Sequence, residues 1–222
     1  MKIGLLSDAH GNILGMKTCI DFFYHKQVKE IFFLGDAVGY FPDAVPVINL
    51  LQSVQAICLM GNHDATLIGN LEIENNKEEV CQIKRSRQEM TSKQLHQIST
   101  LLPYKQLEIG GKLILLVHGS PWDPLNGYVY PDTDLKRFFG LPFDIIFMGH
   151  THIPFIHQSK GATVVNVGSC GLPRDQGGLA SCVLYDLESG QCDLVRIPLD
   201  IEAIKREYKN KIHPSVMDCF FR

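Results

Sequence analysis

No stretch of this sequence approaches the ~20 consecutive apolar residues that a bilayer-spanning helix needs, which argues against an integral helical membrane protein. A basic leader with a cleavage-like site is also missing. The first residues run straight into Ile3-Gly4-Leu5-Leu6, so a cytoplasmic location is the expectation. The seven cysteines form no CxxC pair, show no regular spacing and are odd in number, which points to reduced thiols rather than a disulfide framework. None has a base beside it in sequence, so a cysteine nucleophile is not expected, and Cys58 and Cys182 read as small core residues. Positive charge is not concentrated either. Net charge is -3, and the densest basic segment, Lys84-Arg85-Ser86-Arg87, is flanked by Glu78, Glu79 and Glu89, the pattern of a solvated helix face. A long nucleic acid is therefore not the expected partner, and small anionic substrates fit better.

What the sequence does contain is a series of short apolar runs, each ended by a polar cluster. With 222 residues and 45% hydrophobic content the chain can bury one full core. Ile3–Leu6, Ile31–Leu34, Ala56–Met60, Leu113–Val117 and Ile145–Met148 have the length of buried strands. Helical periodicity lies between several of them: Ile13 to Val28 with Asn12 as N-cap, Pro42 to Gln52, Ser92 to Leu102, and Glu74 to Met90. Later segments, Thr163–Val167, Ala180–Asp186 and Gln191–Ile197, read as strands, the last two joined as a hairpin at Glu188-Ser189-Gly190. This order predicts an α/β protein with two packed sheets and helices outside. Residues 210–222 give no clear signal and are expected as a loosely packed tail.

The chemistry sits at the strand ends. Leu5-Leu6 is followed by Ser7-Asp8-Ala9-His10-Gly11-Asn12, and Phe33-Leu34 by Gly35-Asp36. Leu59-Met60 is followed by Gly61-Asn62-His63-Asp64, Leu116-Val117 by His118-Gly119, and Phe147-Met148 by Gly149-His150-Thr151-His152. Ligands in α/β sheets collect at the carboxyl ends of strands, so these side chains are expected to converge. Asp8/His10 and His150/His152 are i, i+2 pairs, which a locally extended chain presents on one side. Any one pair is weak evidence, because a single histidine is usually structural. Five of the nine histidines at strand ends, together with Asp8, Asp36 and Asn62, are not what packing alone produces. His25, His96, His157 and His213 lie elsewhere and read as surface or satisfied core residues.

The series Asp8-x-His10, Gly35-Asp36-x-x-Gly39, Gly61-Asn62-His63-Asp64, His118-Gly119 and Gly149-His150-x-His152 resembles the calcineurin-like metallophosphoesterase family, in particular its small bacterial and archaeal phosphodiesterase branch. The resemblance implies a four-layer αββα sandwich of two mixed β-sheets flanked by helices, with residues 1–222 forming one domain. It implies one metal held by Asp8, His10, Asp36 and His152, and a second by Asp36, Asn62, His118 and His150, so that Asp36 bridges. Imidazoles with carboxylates and one amide favour Mn, with Fe, Ni or Zn as alternatives, over Mg or Ca. Two such ions generate hydroxide at neutral pH and grip phosphoryl oxygens during in-line attack. His63, beside the expected ligand Asn62, is the expected general acid; Asp64 either orients it or caps the following helix.

The family's protein-phosphatase branch carries an Asp-Arg pair after its second motif, whereas this chain reads Gly35-Asp36-Ala37-Val38-Gly39-Tyr40, which argues against that activity. Arg174 is the candidate replacement for the missing phosphate clamp, with a salt bridge to Asp175 as the other reading. Trp122, in the loop after His118, and Tyr40 with Phe41 are candidates to stack a substrate ring, or else packed residues. The expected substrate is a small phosphodiester or nucleotide-type ester, a dinucleoside polyphosphate among the options. A phosphomonoesterase and a non-catalytic metal-binding scaffold are the competing readings; no membrane partner is expected, and no motif bears on oligomeric state.

Overall fold

The computed structural model describes residues 1–73, 77–159 and 161–222. In chain order its strands are β1 (Lys2–Leu6), β2 (Glu30–Phe33), β3 (Ile57–Cys58), β4 (Tyr104–Ile109), β5 (Lys112–Val117), β6 (Ile145–Met148), β7 (Phe155–Gln158), β8 (Thr163–Asn166), β9 (Leu179–Asp186) and β10 (Cys192–Pro198). The helices are α1 (Ile13–His25), α2 (Ala44–Ser53), α3 (Asn62–Leu67), α4 (Glu78–Cys81), α5 (Ile83–Glu89), α6 (Ser92–Ser99), α7 (Ile201–Tyr208) and α8 (Pro214–Met217).

The strands form two mixed sheets, ordered β10-β9-β1-β2-β3 and β4-β5-β6-β8-β7. In the first, β1, β2 and β3 run parallel and β9 is antiparallel to β1, with Leu5 opposite both Phe32 and Val183. In the second, β5, β6 and β8 run parallel, with Leu116 opposite Phe147. Strand alternation divides the apolar residues between layers. Ile3, Leu5, Phe32, Leu116, Phe147, Val165 and Val183 meet between the sheets. Leu6 and Phe33 face the other way, into the layer of Met16, Ile20 and Phe23 from α1 and Val47 and Leu51 from α2. The outer face of the second sheet, Leu115, Val117, Ile146 and Met148, is covered by Val129, Leu135, Phe138 and Phe143 from the long β5–β6 connection, which holds a short 3-10 turn at Phe138–Gly140.

Local chemistry sets the helix ends. Asn12 caps α1 by accepting from Gly15 N at 3.1 Å, and the helix stops at His25 rather than Val28 because Gln27 turns left-handed (φ 55°). Helix α2 begins at Ala44, after Pro42, so the proline inside it is Pro46, in the first turn where a missing N–H costs little. Thr91 and Gln94 form a capping box that starts α6. The helix expected over Glu74–Met90 is two helices, α4 and α5, broken at Gln82 (φ 54°); residues 74–76 of that expectation lie outside the described residues.

The expected loose tail at 210–222 is corrected by the structure. Helix α8 and a 3-10 turn at Asp218–Phe221 bury Ile212, Val216 and Phe220 in the α1–α2 core, with the Phe220 ring 6.0 Å from that of Phe41. Among the described residues no helix is long and apolar enough to cross a membrane.

Candidate metal centre

The five polar clusters meet at one end of the two sheets. Backbone pairing carries the β1 and β2 loops past their strands: Asp8 N donates to Gly35 O at 3.0 Å, His10 N to Asp36 O at 3.0 Å and Gly11 N to Ala37 O at 2.8 Å. Gly149 N donates to His118 O at 3.0 Å, so the β5 and β6 loops are joined in the same way. The candidate ligand residues on these loops are not extended. Asp8, His10, Asp36, His150 and His152 all have left-handed backbone, with φ of 57°, 50°, 60°, 68° and 61°. The i, i+2 pairs therefore share a side because both members are kinked, not because the chain is extended. Each such residue costs on the order of 1–3 kcal/mol, strain that persists where the surroundings over-determine it and that gathers at functional sites.

The side chains form two adjoining groups. Asp8 Oδ1 lies 3.8 Å from His10 Nε2 and 3.3 Å from His152 Nε2, and the two imidazole nitrogens are 3.0 Å apart. Asp36 Oδ2 lies 3.6 Å from His10 Nε2 and 3.6 Å from His118 Nε2, between the groups. His118 Nε2 is 3.1 Å from Asn62 Oδ1, and donor atoms of Asp36, His118 and His150 all lie within 4.8 Å of one another. All of these residues except Asn62 are buried.

This donor set fits a metal. His10, His118 and His152 each place Nδ1 against a backbone carbonyl, Val38 O at 3.1 Å, Leu34 O at 2.8 Å and Leu172 O at 2.6 Å. A carbonyl only accepts, so Nδ1 carries the proton and the Nε2 lone pairs of His10 and His152 point at one another, an arrangement a cation stabilises. Asp8 Oδ1 and His150 Nε2 are buried without a hydrogen-bond partner. Burial also keeps the imidazoles neutral: it lowers His10 and His152, and pushes His63 and His150 down to about 3. Burial raises the Asp36 carboxyl, and the neighbouring Asp8 and Asp64 carboxylates raise it further.

Gly61 permits a close approach to Asp36. A Cβ there would sit 2.1 Å from Asp36 Oδ1. Asp36 Oδ1 instead accepts from His63 N at 2.8 Å, so the expected bridging carboxylate is fixed by the start of α3.

Residues 1–190 match the Calcineurin-like phosphoesterase superfamily domain. The chain belongs to that superfamily. An uncharacterized protein of Methanocaldococcus jannaschii is 28% identical over 95% of this chain and 93% of its own length. A phosphodiesterase of the same organism is 24% identical over 77% of this chain and 84% of its own. The crystal structure of a metallophosphoesterase from Sphaerobacter thermophilus superposes with a TM-score of 0.81 at 24% identity, covering 99% of this chain and 98% of that one. The protein is thus a metallophosphoesterase, a metal-dependent hydrolase of phosphoric esters, and its fold is the expected pair of mixed sheets flanked by helices.

The other sequence-derived candidates of this phosphoesterase divide. His63 packs its ring edge-on to His10 at 4.6 Å and against Tyr40 at 4.9 Å, beside the candidate ligands. Arg174 Nη2 donates to the Tyr40 hydroxyl at 3.3 Å. The alternative pairing of Arg174 with Asp175 is absent, because Arg196 takes that carboxylate with two bonds of 2.7 and 2.9 Å. Asp64 follows the second of its two readings, the helix cap. Its carboxylate accepts from the backbone N–H groups of Asp36 (2.8 Å), Ala37 (3.0 Å) and Gly61 (3.0 Å), so it caps α3 and ties down the β2 loop. Trp122 follows its other reading, that of a packed residue. A tight turn, with Ser120 N donating to Asp123 O at 2.9 Å, projects it onto Phe138 (4.8 Å) under the Arg137 guanidinium (4.1 Å), over the outer face of the second sheet. Phe41 is fully buried against Tyr208. The same loop instead delivers Tyr128, whose ring lies 4.3 Å from that of His150. Sequence reading passed over Tyr128; its only signal was membership of the loop that follows His118.

Proposed function

We propose that this protein hydrolyses a small phosphodiester or nucleotide-type ester at a pair of divalent cations, Mn in preference to Fe, Ni or Zn. Asp8, His10, Asp36 and His152 would hold one ion and Asp36, Asn62, His118 and His150 the other. The observation that carries this reading is the position of Asp36 Oδ2, 3.6 Å from the Nε2 atoms of both His10 and His118, which suits a carboxylate shared between two sites. When bound, such a pair supplies a water-derived nucleophile at neutral pH and offsets charge on the phosphoryl oxygens.

The chain's own residues do the rest. Left-handed backbone at five of the proposed ligands and the carbonyl anchors on three imidazoles preorganise the cluster before any ion arrives. His63, beside Asn62, would protonate the departing oxygen, its imidazole taking up the proton when it faces the anionic phosphate, since burial keeps it neutral before the substrate arrives. Arg174, steadied by Tyr40, lies on the same side as His63 and grips a non-bridging phosphoryl oxygen. The test is metal analysis beside turnover of bis(p-nitrophenyl) phosphate. Asp36→Asn is expected to lower the content of both ions, and His63→Ala to keep both while losing turnover. Full activity in both variants would overturn the assignment.

A further inference from the structure

A cleft of about 240 Å³ opens directly beside the metal centre. Asn62 and His63 are among its lining residues, so it adjoins the expected ligand and the expected proton donor. Leu71, Ile73 and Ile83 give it an apolar patch, Glu72 and Lys77 add charged groups, and Asn126 and Tyr128 line it from the loop after β5. Tyr128 also touches His150 across the metal cluster, so cleft and metal centre share a wall. The Tyr128 ring is more than half exposed although it sits on a folded loop, and lies parallel to Tyr130 with centroids 6.0 Å apart. An aromatic ring this exposed beside a proposed phosphate site is suited to a planar group. The volume lies just below the ~300–1,000 Å³ typical of clefts for drug-sized ligands, enough for one ring system and not for a whole dinucleotide.

Resting on the function proposed above, we infer that this cleft receives the ester group that leaves from the phosphorus, and that it selects a single ring-bearing alcohol, aryl or nucleoside, over a short alkyl chain. The ester oxygen then lies beside His63, where the proton is delivered. The ring packs between Tyr128 and the Leu71–Ile83 wall, and the Asn126 amide meets its polar edge. Arg174 stays with the phosphate.

The test separates ring from phosphate. Phenylphosphonate and methylphosphonate are titrated calorimetrically into the Mn-loaded protein, neither being hydrolysed. The wild type is expected to bind the phenyl compound about three- to tenfold more tightly, the worth of one aromatic contact. In Tyr128→Ala, which removes a wall, that ratio falls toward one. In Asn126→Trp, which fills the cleft from an exposed loop position and leaves the core alone, it falls to one or below. A wild-type ratio near one, or a ratio unchanged in the two variants, overturns the inference. Failure of methylphosphonate to bind the loaded protein at all refutes the phosphoesterase centre itself, a different result. Steady-state kinetics give a second check: KM for bis(p-nitrophenyl) phosphate rises by the same factor in both variants, and an unchanged KM counts against the cleft.

Discussion

The carboxylate of Asp64 holds the backbone N–H of Asp36 at 2.8 Å, and through it the loop that carries the proposed bridging ligand. Two further backbone groups, Ala37 N and Gly61 N, depend on the same side chain. Each buried donor left unsatisfied costs ~1–3 kcal/mol. Asp64→Ala is therefore expected to destabilise the fold by about 3 kcal/mol or more and to weaken metal binding, whereas Asp64→Asn, which keeps one acceptor oxygen, falls between. Denaturant midpoints with metal content by mass spectrometry would show the ranking.

His63 as proton donor makes a leaving-group prediction. Its removal should cost ~10²–10⁴-fold in kcat for an alkyl or nucleoside leaving group. For p-nitrophenol, which departs without protonation, the loss should be smaller. An equal loss across a series of phenols of graded pKa would show that His63 acts otherwise.

Arg174 and Tyr40 should differ in effect although they are bonded. Arg174→Ala removes a charge-assisted grip on phosphate, worth ~1.5–3 kcal/mol, so kcat/KM falls about 10–100-fold. Tyr40→Phe removes only the hydroxyl that steadies the guanidinium, and the loss should be about two- to tenfold. Equal losses in the two variants would place the hydroxyl itself on the substrate.

Acid should destabilise the metal-free protein. His63 and His150 are held down to about 3 in the fold, chiefly by burial, against ~6.5 in the unfolded chain. Between those values the unfolded chain binds more protons, so stability rises with pH. The contribution is complete above ~6.5 and is lost progressively as pH falls toward 3, by ~1.4 kcal/mol per pH unit for each such histidine. Urea midpoints of the apo protein at pH 7.5, 6 and 5 should fall in that order; a flat series would mean that these imidazoles are solvated.

Trp122→Ala should leave kcat and KM unchanged, because its ring serves Phe138 and Arg137. Its cost appears in stability, about 1–2 kcal/mol from the lost ring and cation contacts. A fall in kcat/KM would return it to the substrate site.

Strand positions and ligand types were legible because both are local. Ile145–Met148 was read to the residue, since an apolar run followed by Gly-His-x-His announces a buried strand and its functional end. The edge strands β4 and β7 went unread because they lie half in solvent and lack that signal. Helix α7 shows only Ile204 and Tyr208 buried, too thin a stripe to notice.

By itself the sequence determined that Asp8, His10, Asp36, Asn62, His118, His150 and His152 stand at the ends of apolar runs, and hence at one edge of packed sheets. Only the tertiary structure decided what their neighbours do. Asp64 serves Asp36 rather than His63, Asp175 belongs to Arg196 rather than Arg174, and Tyr128 rather than Trp122 reaches the candidate metal cluster. A strand follows from periodicity within a few residues. A side-chain partnership depends on how loops separated by tens of residues are turned at single left-handed or tightly bonded positions, and no spacing in the chain specifies that.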